Sequence, residues 1–546
     1  MDIESLRSKN IQRNQDLLRK LNLDTLHLSI RRDAQPAPKQ KRAKKATPQP
    51  SRAIPTRRSR RLANTPESKE EKRVCEERAE LERLRQQRLK KLRATRLRGV
   101  FPLTHLAADP RLGELVHEDR LVGGKENVVK KVDIECGNCV ETDFLGVQNR
   151  LLVLHDLGTR YSQPSDANDT CAARDRDDTR KLLLRMALAQ CANPREFKLT
   201  VNRITSIHLH LSTADRLVAA GDTSGILGLW AIDRPHDGEP IVALLKPHGR
   251  SIARILEMAQ NPQCLVTASY DGSCRAADLV KMASSELFAV GDPEDPVGIS
   301  DLAVISPNLL YATTLDGQFF RRDPREPLAA GEPLRLHDKK IGGFCVNPNA
   351  EHQIATASLD RTMRVWDLRN ISAKNSVSEL HDGLCAPHLY GAFSSRLSIS
   401  NVDWNQNNRL VCNGYDDRIQ LLDYGAKRGA VDVITRWFDT YRPPGKNFDP
   451  VPDNLRSFKT ISHNCQTGRW VSILKARWQR APADGVQKFA IANMQRSIDV
   501  FDENGLRLAS LHDPDLMTAV PAVVAFHPTR NWLVGGTSSG KVFLFE

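Results

Sequence analysis

The hydrophobic and polar positions of residues 195–546 follow one repeating pattern. An apolar run leads into a tight polar turn, and an alternating strand follows that ends in an aromatic residue or its substitute. Clear instances read AAGDTSGILGLW, TASLDRTMRVWD and GGTSSGKVFLFE. Aligning all seven instances on the last position gives one column: Trp230, Ala277, Arg322, Trp366, Leu422, Phe501 and Phe545. Four of the six spacings are 44 to 47 residues, and the other two, 56 and 79, indicate insertions in the fifth and sixth repeats.

This period is typical of WD-repeat propellers, in which each repeat supplies four short strands. Seven such units are predicted to close into a ring, because closure protects the sheet edges that open β structures expose. The predicted fold is therefore all-β, a seven-bladed WD40 β-propeller. The last repeat ends after its third strand. The outer strand of the seventh blade is therefore predicted to come from EFKLTV at 196–201.

A hairpin turn is predicted five residues before the aligned column. From the first repeat to the seventh, this position is occupied by Gly225, Gly272, Gly317, Arg361, Asp417, Arg496 and Gly540. Four glycines there, with an Asp just before the position in four repeats, suit a turn that needs a positive φ.

The fourth repeat is the most regular. As in other WD repeats, His337, Ser358, Asp360 and Trp366 are predicted to form an internal hydrogen-bonded brace. A His-Ser-Asp set also suggests a catalytic triad, but the recurrence of LHD along the chain favours an architectural role.

Residues 1–98 are predicted to form a basic arm, largely disordered but with helical segments at 10–28 and 67–98. The first segment has one apolar stripe, and it is either unstructured or a docking motif for a partner. Residues 34–66 contain ten Lys and Arg, six Pro and no acidic residue, so they cannot bury a core. Residues 99–194 are predicted to be a partly ordered lead-in with a short helix around 180–190.

The net charge of +14 lies in the arm, which has 29 Lys and Arg against 12 Asp and Glu. The totals of 80 and 66 leave 51 basic and 54 acidic residues for 99–546. This asymmetry favours a polyanionic partner over a merely solubilising tail. The clusters KQKRAKK (39–45) and RRSRR (57–61) are of the nuclear-localisation or nucleic-acid type, and the sequence does not separate these two interpretations.

Several classes of protein are disfavoured by the sequence. No apolar stretch approaches the length that crosses a bilayer, and the N-terminus lacks a signal-peptide core. Eleven scattered cysteines are typical of a reducing compartment, the cytosol or the nucleus. With the basic clusters of the arm, we predict the nucleus. Cys136 and Cys139 form a lone CxxC without a second pair at zinc spacing. Phosphate loops and HExxH are absent, and we expect no enzyme, cofactor or metal site.

Two propeller segments, IATASLDRTMRVWDLRN (354–370) and RSIDVFDENG (496–505) with the LHDP that follows, resemble the WD-repeat family of DNA damage-binding proteins. That family includes the small subunit of the UV-damaged-DNA-binding complex. In the arm, IQRNQDLLRKLNLD (11–24) and TRRSRRLAN (56–64) are most similar to its fungal branch. The resemblance spans most of 200–546 and implies a monomeric DNA-binding propeller that acts on chromatin in the DNA damage response.

The resemblance implies that DNA is held by loops on the top face and by the large insertion at 435–459. Basic side chains there would meet phosphates and aromatic ones would stack on bases, whereas each could instead be a solvated surface residue. The candidate residues are Arg250, Lys339, Lys340, Arg361, Arg396, Arg418, Arg436, Trp437, Arg442, Lys446 and Arg496, with His248 beside the first of them. The expected partner is double-stranded DNA, damaged or intact.

Trp366-Asp367-Leu368-Arg369 matches the WDxR motif by which many propellers dock onto the adaptor of cullin-4 ubiquitin ligases. Trp366, Asp367 and Arg369 are the implied adaptor-binding residues, unless WDLR is simply a good repeat ending. The preceding repeat offers Arg322-Asp323-Pro324-Arg325, which lacks the Trp and puts a paired motif in doubt. The alternative function is a ubiquitin-ligase substrate receptor, or a scaffold that binds histones or other chromatin proteins without recognising damage itself.

Overall fold

The computed structural model describes residues 80, 83, 95–107, 140–163, 175–189, 193, 195–236, 239–258, 260–291, 296–326, 332–380, 382–424, 455–465 and 471–546. The chain divides into two compact units, residues 1–80 and 81–546, and apart from Glu80 everything described belongs to the second. The predicted helix at 10–28, the basic clusters, most of 67–98 and the CxxC pair lie outside the described residues.

Seven antiparallel sheets form seven blades, which confirms the predicted fold. The first three blades comprise β2 (Ile204–Leu209), β3 (Leu217–Asp222), β4 (Leu227–His236) and β5 (Glu239–Leu245); β6 (Ile252–Met258), β7 (Asn261–Ser269), β8 (Ser273–Asp278) and β9 (Ala283–Ala289); and β10 (Ile299–Ser306), β11 (Leu309–Thr314), β12 (Gln318–Arg322) and β13 (Leu334–Arg335).

The remaining four blades comprise β14 (Ile341–Asn347), β15 (Ala350–Ser358), β16 (Thr362–Ser372) and β17 (Ala386–Ser394), with a 3-10 turn at Ala373–Asn375; β18 (Ile399–Trp404), β19 (Arg409–Gly414), β20 (Arg418–Asp423) and β21 (Ser457–Ser462); β22 (Arg477–Trp478), β23 (Lys488–Asn493), β24 (Ser497–Asp502) and β25 (Arg507–Leu511); and β26 (Val523–Phe526), β27 (Leu533–Gly536) and β28 (Val542–Phe545). The first strands of neighbouring blades contact one another, so they surround the central channel.

The aligned column corresponds to one register position in every blade. Each of its members pairs with the residue twelve positions earlier on the second strand, as in Trp230 with Val218, Trp366 with Ile354 and Phe545 with Leu533. All seven turn positions have a positive φ, between 55° and 87°. The predicted hairpins are therefore present, and the three residues that are not glycine adopt the same backbone conformation as the four that are.

The ring closes where the sequence predicts it. Leu188 and Lys198 form antiparallel bridges with Phe545 and Lys541 on β28 and the turn before it, and the Leu199 amide donates to the Gly540 carbonyl at 2.8 Å. The pairing segment differs from the prediction in two respects. It begins earlier, at residue 187, and it makes separate bridges instead of a regular strand.

Part of the lead-in packs on the propeller. β1 (Val100–Pro102) pairs with β9 as a fifth strand of the second blade, and α1 (Leu103–Ala107) follows it. α2 (Val140–Tyr161) buries Leu151, Leu154 and Leu157 against the first two blades. α3 (Arg176–Leu183) starts at an Asp175 cap and ends sooner than the predicted helix, because the chain beyond it pairs with β28.

Candidate nucleic-acid interface

The turns between second and third strands lie on the same face as the connections between blades. In each of several blades a backbone amide of the turn donates to a carbonyl of the connection that enters the blade: Thr223 to Arg203, Tyr270 to Ser251, Leu359 to Lys340 and Tyr415 to Ser398, at 2.9 to 3.1 Å. We call this face the top face. The ends of the third strands lie on the opposite, bottom face.

A contiguous group of cations lies on the top face of the fourth and fifth blades. In the turn that carries Arg361, the Leu359 amide donates to the Lys340 carbonyl at 3.0 Å. On the other side, the Arg361 carbonyl accepts from the amide of Ser395 at 2.9 Å, in the connection that carries Arg396. The Ser395 hydroxyl bonds Asp416 of the next turn at 3.2 Å, beside Arg418. We call Lys339, Lys340, Arg361, Arg396 and Arg418 the top-face patch. Lys340 is half-buried over the ring of Tyr270, and the other four are exposed.

The other candidates for DNA contact are dispersed or outside the description. Arg250 and Arg496 are exposed on the top face of other blades. His248 is fully buried, with its ring nitrogens 2.9 Å and 2.7 Å from the hydroxyls of Ser273 and Thr267, so its prediction as a top-face contact is wrong. The insertion residues Arg436, Trp437, Arg442 and Lys446 lie outside the described residues.

The central channel opens on the top face as a cavity of about 400 Å³, which we call the channel mouth. Three cations line it, Arg203, Lys340 and Lys475, together with Tyr270 and Tyr415. The described lining contains no carboxylate. Apart from Lys340, the sequence interpretation missed these residues. For Lys475 a signal exists. It stands two residues before the first strand of its blade, whereas the first strands of other blades have small residues at their second position, such as Ser300, Gly342 and Ser400.

Like charges crowd the channel mouth. The Lys475 ammonium donates to the Gly342 carbonyl at 2.8 Å. Burial, together with the nearby cations Arg477, Arg254 and Lys340, lowers the pKa of Lys475 to about 7, although Asp301 opposes the change. Asp301 is shared, since it lies 3.6 Å from the Arg254 guanidinium and 3.5 Å from that of Arg477. The channel mouth therefore has more positive than negative charge near Lys475.

The brace of the fourth blade is built around a threonine that the sequence interpretation missed. His337 lies 2.6 Å from Asp360 and 2.7 Å from the Thr356 hydroxyl, and the Trp366 indole donates to the same hydroxyl at 2.8 Å. Ser358 instead donates to the Lys340 carbonyl at 3.0 Å. Ser358 lies on the same side of the strand as Thr356 but two residues closer to the turn, so it is corrected from the link in the brace to a contact that holds the top-face connection.

Two Asp-x-Arg pairs lie on the bottom face, where the third strands β12 and β16 leave their pairing with the second strand. The Arg369 guanidinium bonds both oxygens of Asp367, at 3.0 and 2.8 Å, and its amide donates to Asp367 at 3.0 Å. Arg325 repeats this arrangement with Asp323, at 3.0, 2.6 and 3.0 Å, although the Trp is missing from its repeat. The side chains of Arg369 and Arg325 are 62% and 69% exposed. We call each Asp-x-Arg pair, with its guanidinium bonded to both carboxylate oxygens, a fork. Because Arg325 forms one without a Trp in its repeat, the fork does not depend on the Trp.

The described ranges contain no cluster of His, Cys, Asp and Glu side chains suited to a metal ion. Among these same ranges, no helix combines the length and apolar character needed to cross a membrane.

Comparison with known proteins gives two results. The family profile described as WD domain, G-beta repeat matches residues 332–367, which end at the brace Trp and its Asp. Over the full chain, the sequence is 47% identical to DNA damage-binding protein CMR1 of Meyerozyma guilliermondii and 46% identical to that of Debaryomyces hansenii, covering 99% of each relative. It is 36% identical to the protein of the same name from Neurospora crassa, over 72% of this chain and 75% of the relative.

Proposed function

Because the chain belongs to the WD-repeat family of DNA damage-binding proteins, we propose that it binds double-stranded DNA across the top face of its propeller and acts in the DNA damage response. The propeller serves as a binding module and not as a catalyst. The basic arm adds affinity that is independent of sequence, because its Lys and Arg side chains neutralise phosphates and release counterions.

The observation that carries this proposal is the top-face patch. Its five cations come from two adjacent blades and are held in place by backbone hydrogen bonds between turns and connections. None of them forms an ion pair with a carboxylate within the described part of the chain. Such side chains are available for phosphate oxygens, which receive most protein–DNA hydrogen bonds.

The test is a salt series with the full-length protein and a labelled duplex. A triple variant, Lys339→Ala/Arg361→Ala/Arg396→Ala, should weaken binding at least ~10-fold and reduce the slope of log affinity against log salt by about 2 to 3, since roughly three phosphate contacts are lost. The control removes three exposed lysines away from the top face, Lys181→Ala/Lys281→Ala/Lys374→Ala. Equal slopes for the two triple variants would contradict the proposal.

A histone tail is a poorer occupant of the channel mouth than an acidic group. Histone tails are rich in Lys and Arg, whereas the described lining offers Arg203, Lys340 and Lys475 without a carboxylate. Like charges at close range are repulsive, most of all where water is partly excluded. The charge of the channel mouth therefore supports DNA over a histone tail as the ligand of this face.

We propose a second function for the bottom face, docking onto the adaptor of cullin-4 ubiquitin ligases. It is supported by the two forks, which present exposed guanidinium groups in the same orientation on neighbouring blades. Co-purification of the adaptor should fall with Arg325→Ala/Arg369→Ala and stay normal with Lys281→Ala/Lys374→Ala. Normal recovery with both double variants would rule this function out.

We also propose that the protein is nuclear, which the basic clusters at 39–45 and 57–61 support. A fluorescent fusion should concentrate in the nucleus and spread to the cytoplasm when the Lys and Arg residues of both clusters are changed to Ala. Nuclear signal that survives this change would show that the clusters do not direct import.

A further inference from the structure

The channel mouth shares Lys340 with the top-face patch, but the rest of its lining differs from the patch. Its lining combines the three cations with small hydroxyl side chains from several blades: Thr205, Thr223, Ser251, Ser300, Ser400 and Ser472. Most of these hydroxyls already donate within the protein, as Ser400 does to the Asn413 carbonyl at 3.1 Å and Thr205 to the Ile252 carbonyl at 2.7 Å. The lysine and guanidinium groups are therefore the donors that phosphate oxygens would meet. A volume of about 400 Å³ falls in the range of small-ligand sites and can hold one nucleotide-sized group.

The charge on the ligand can be inferred from the charge of the site. A phosphodiester within a strand carries one negative charge, whereas a phosphomonoester carries about −1.5 to −2 at pH 7 and offers three acceptor oxygens. Three cations converge on the channel mouth, and Lys475 has only a backbone carbonyl as its hydrogen-bond acceptor among the described residues. The site therefore matches the more highly charged group.

Access decides which phosphates can reach Lys475. A double helix is far wider than the channel mouth, so its internal phosphates meet the rim and the top-face patch. Lys475 is half-buried below that rim. The terminus of a single strand is narrow enough to enter, and Tyr415 lines the path where a terminal base can stack.

We propose that the channel mouth binds the terminal phosphomonoester of a DNA strand end, an inference that rests on the proposed binding of DNA to the top face. A free mononucleotide carries the same group, and the test therefore distinguishes it from a strand end. The top-face patch holds the duplex while the channel mouth reads whether a neighbouring strand end is phosphorylated.

The test compares two labelled duplexes with a three-nucleotide 5′ overhang, identical except that one ends in a phosphate and the other in a hydroxyl. The full-length protein should bind the phosphorylated duplex about tenfold more tightly, the effect of one charge-assisted contact of about 1.4 kcal/mol. Lys475→Met should abolish this preference, so that it binds the two duplexes equally. Lys281→Met, a matched change on the bottom face, should preserve the preference.

A second variant tests the site without changing its charge. Ala253→Leu places a larger side chain in the cavity and should also abolish the preference, so the result does not depend on how Lys475→Met folds. Unlabelled deoxynucleoside monophosphate should compete for the channel mouth only at a concentration far above that of the overhang, since it lacks the contacts to the patch.

The outcomes separate this inference from the proposed function. Equal affinity for phosphate and hydroxyl ends, with duplex binding intact, overturns the inference alone. Absence of duplex binding at low salt overturns the proposed function. Competition by a phosphoserine peptide as strong as that by the overhang would assign the channel mouth to a protein ligand and also overturn the inference.

Discussion

At the scale of single residues, the top-face turns combine a backbone cost with a binding role. Arg361 and Arg496 occupy the left-handed region at φ 75° and 65°, where four other blades have glycine. An L-residue in this region costs roughly 1 kcal/mol relative to a residue without Cβ. Both arginines project from the face that we propose for DNA. Strain kept at such positions is typical of functional sites.

Arg361→Gly should therefore stabilise the propeller and weaken its binding to DNA. The expected gain in the free energy of unfolding is about 0.5 kcal/mol, less than the full strain because glycine makes the unfolded chain more flexible. Duplex affinity should fall ~3- to 10-fold for one lost phosphate contact. The measurements are urea unfolding and fluorescence anisotropy.

Arg418→Gly is the matched control for this substitution. Arg418 is the first residue of β20 and does not have a positive φ. The same change should there cost about 0.5 to 1 kcal/mol of stability. A loss of stability in both variants would contradict the assignment of strain to Arg361.

Lys475 should make the recognition of strand ends depend on pH. Its pKa is lowered to about 7, so its charge and its attraction for an anion are present below that value and are lost as the pH rises above it. The groups that act on it are Arg477, Arg254 and Lys340, which favour its neutral form, and Asp301, which favours its charge.

Between pH 7 and 8.5 a terminal phosphate is already close to a dianion, since its second pKa is about 6. The preference for the phosphorylated overhang should therefore decline over this interval in the wild-type protein. Lys475→Met should show no decline because the titrating group is gone. A flat profile in the wild-type protein would show that Lys475 keeps its charge, contrary to the expectation.

At the scale of elements, one buried cation ties the segment before β1 to the second blade, in addition to the pairing of β1 with β9. The Arg275 guanidinium, fully buried, donates to the carbonyls of Leu97, Gly99 and Ser284 at 2.9 to 3.1 Å. Nearby, Arg96 pairs with Glu286 at 2.8 Å. Side chains of the propeller thus fix the segment that precedes β1.

Arg275→Met should release this segment. Three carbonyl groups lose this donor, although the Gly99 carbonyl keeps the Glu286 amide at 3.2 Å. Each buried acceptor left unsatisfied costs about 1 to 3 kcal/mol unless water reaches it. Trypsin should then cut after Arg96 and Arg98 far faster than in the wild-type protein, as judged from fragment masses in short digests. Lys281→Met, an exposed site on the same blade, is the control, and equal cutting in the two variants would contradict this role.

How far the sequence predicts the structure differs between kinds of element. The blades were predictable because strand, turn and strand recur at fixed spacing, as the register of Trp230 and Trp366 shows. β1 was not, because its partner β9 is far away in the sequence and three residues give no periodic signal. The channel mouth was missed for a related reason. Lys475 and Arg203 are far apart in the sequence, and only closure of the ring brings them together.

At the scale of the whole molecule, stability depends on the seam between residues 187–200 and β28. Leu199 is fully buried there. Leu199→Asp should lower the free energy of unfolding by about 3 to 5 kcal/mol, because it buries a charge without a partner and opens the ring. The urea midpoints measured by tryptophan fluorescence and by far-ultraviolet circular dichroism should fall together, since blades at an opened seam lose their neighbours.

Leu184→Asp is the matched control, because Leu184 is 60% exposed at the end of α3. It should change stability by no more than about 0.5 kcal/mol. A comparable loss in both variants would mean that the seam carries no special share of the stability.

The same seam dictates an order of events during synthesis. Leu188 leaves the ribosome long before Phe545, its partner across the seam, has been translated. Earlier blades can assemble as they emerge, since their strands are contiguous, but the segment around Leu188 has no strand to pair with until β28 has been made. The nascent ring therefore exposes an open β edge for most of its synthesis, and such edges favour association with other chains. We expect the newly made protein to depend on a chaperone that covers this edge until the last blade arrives.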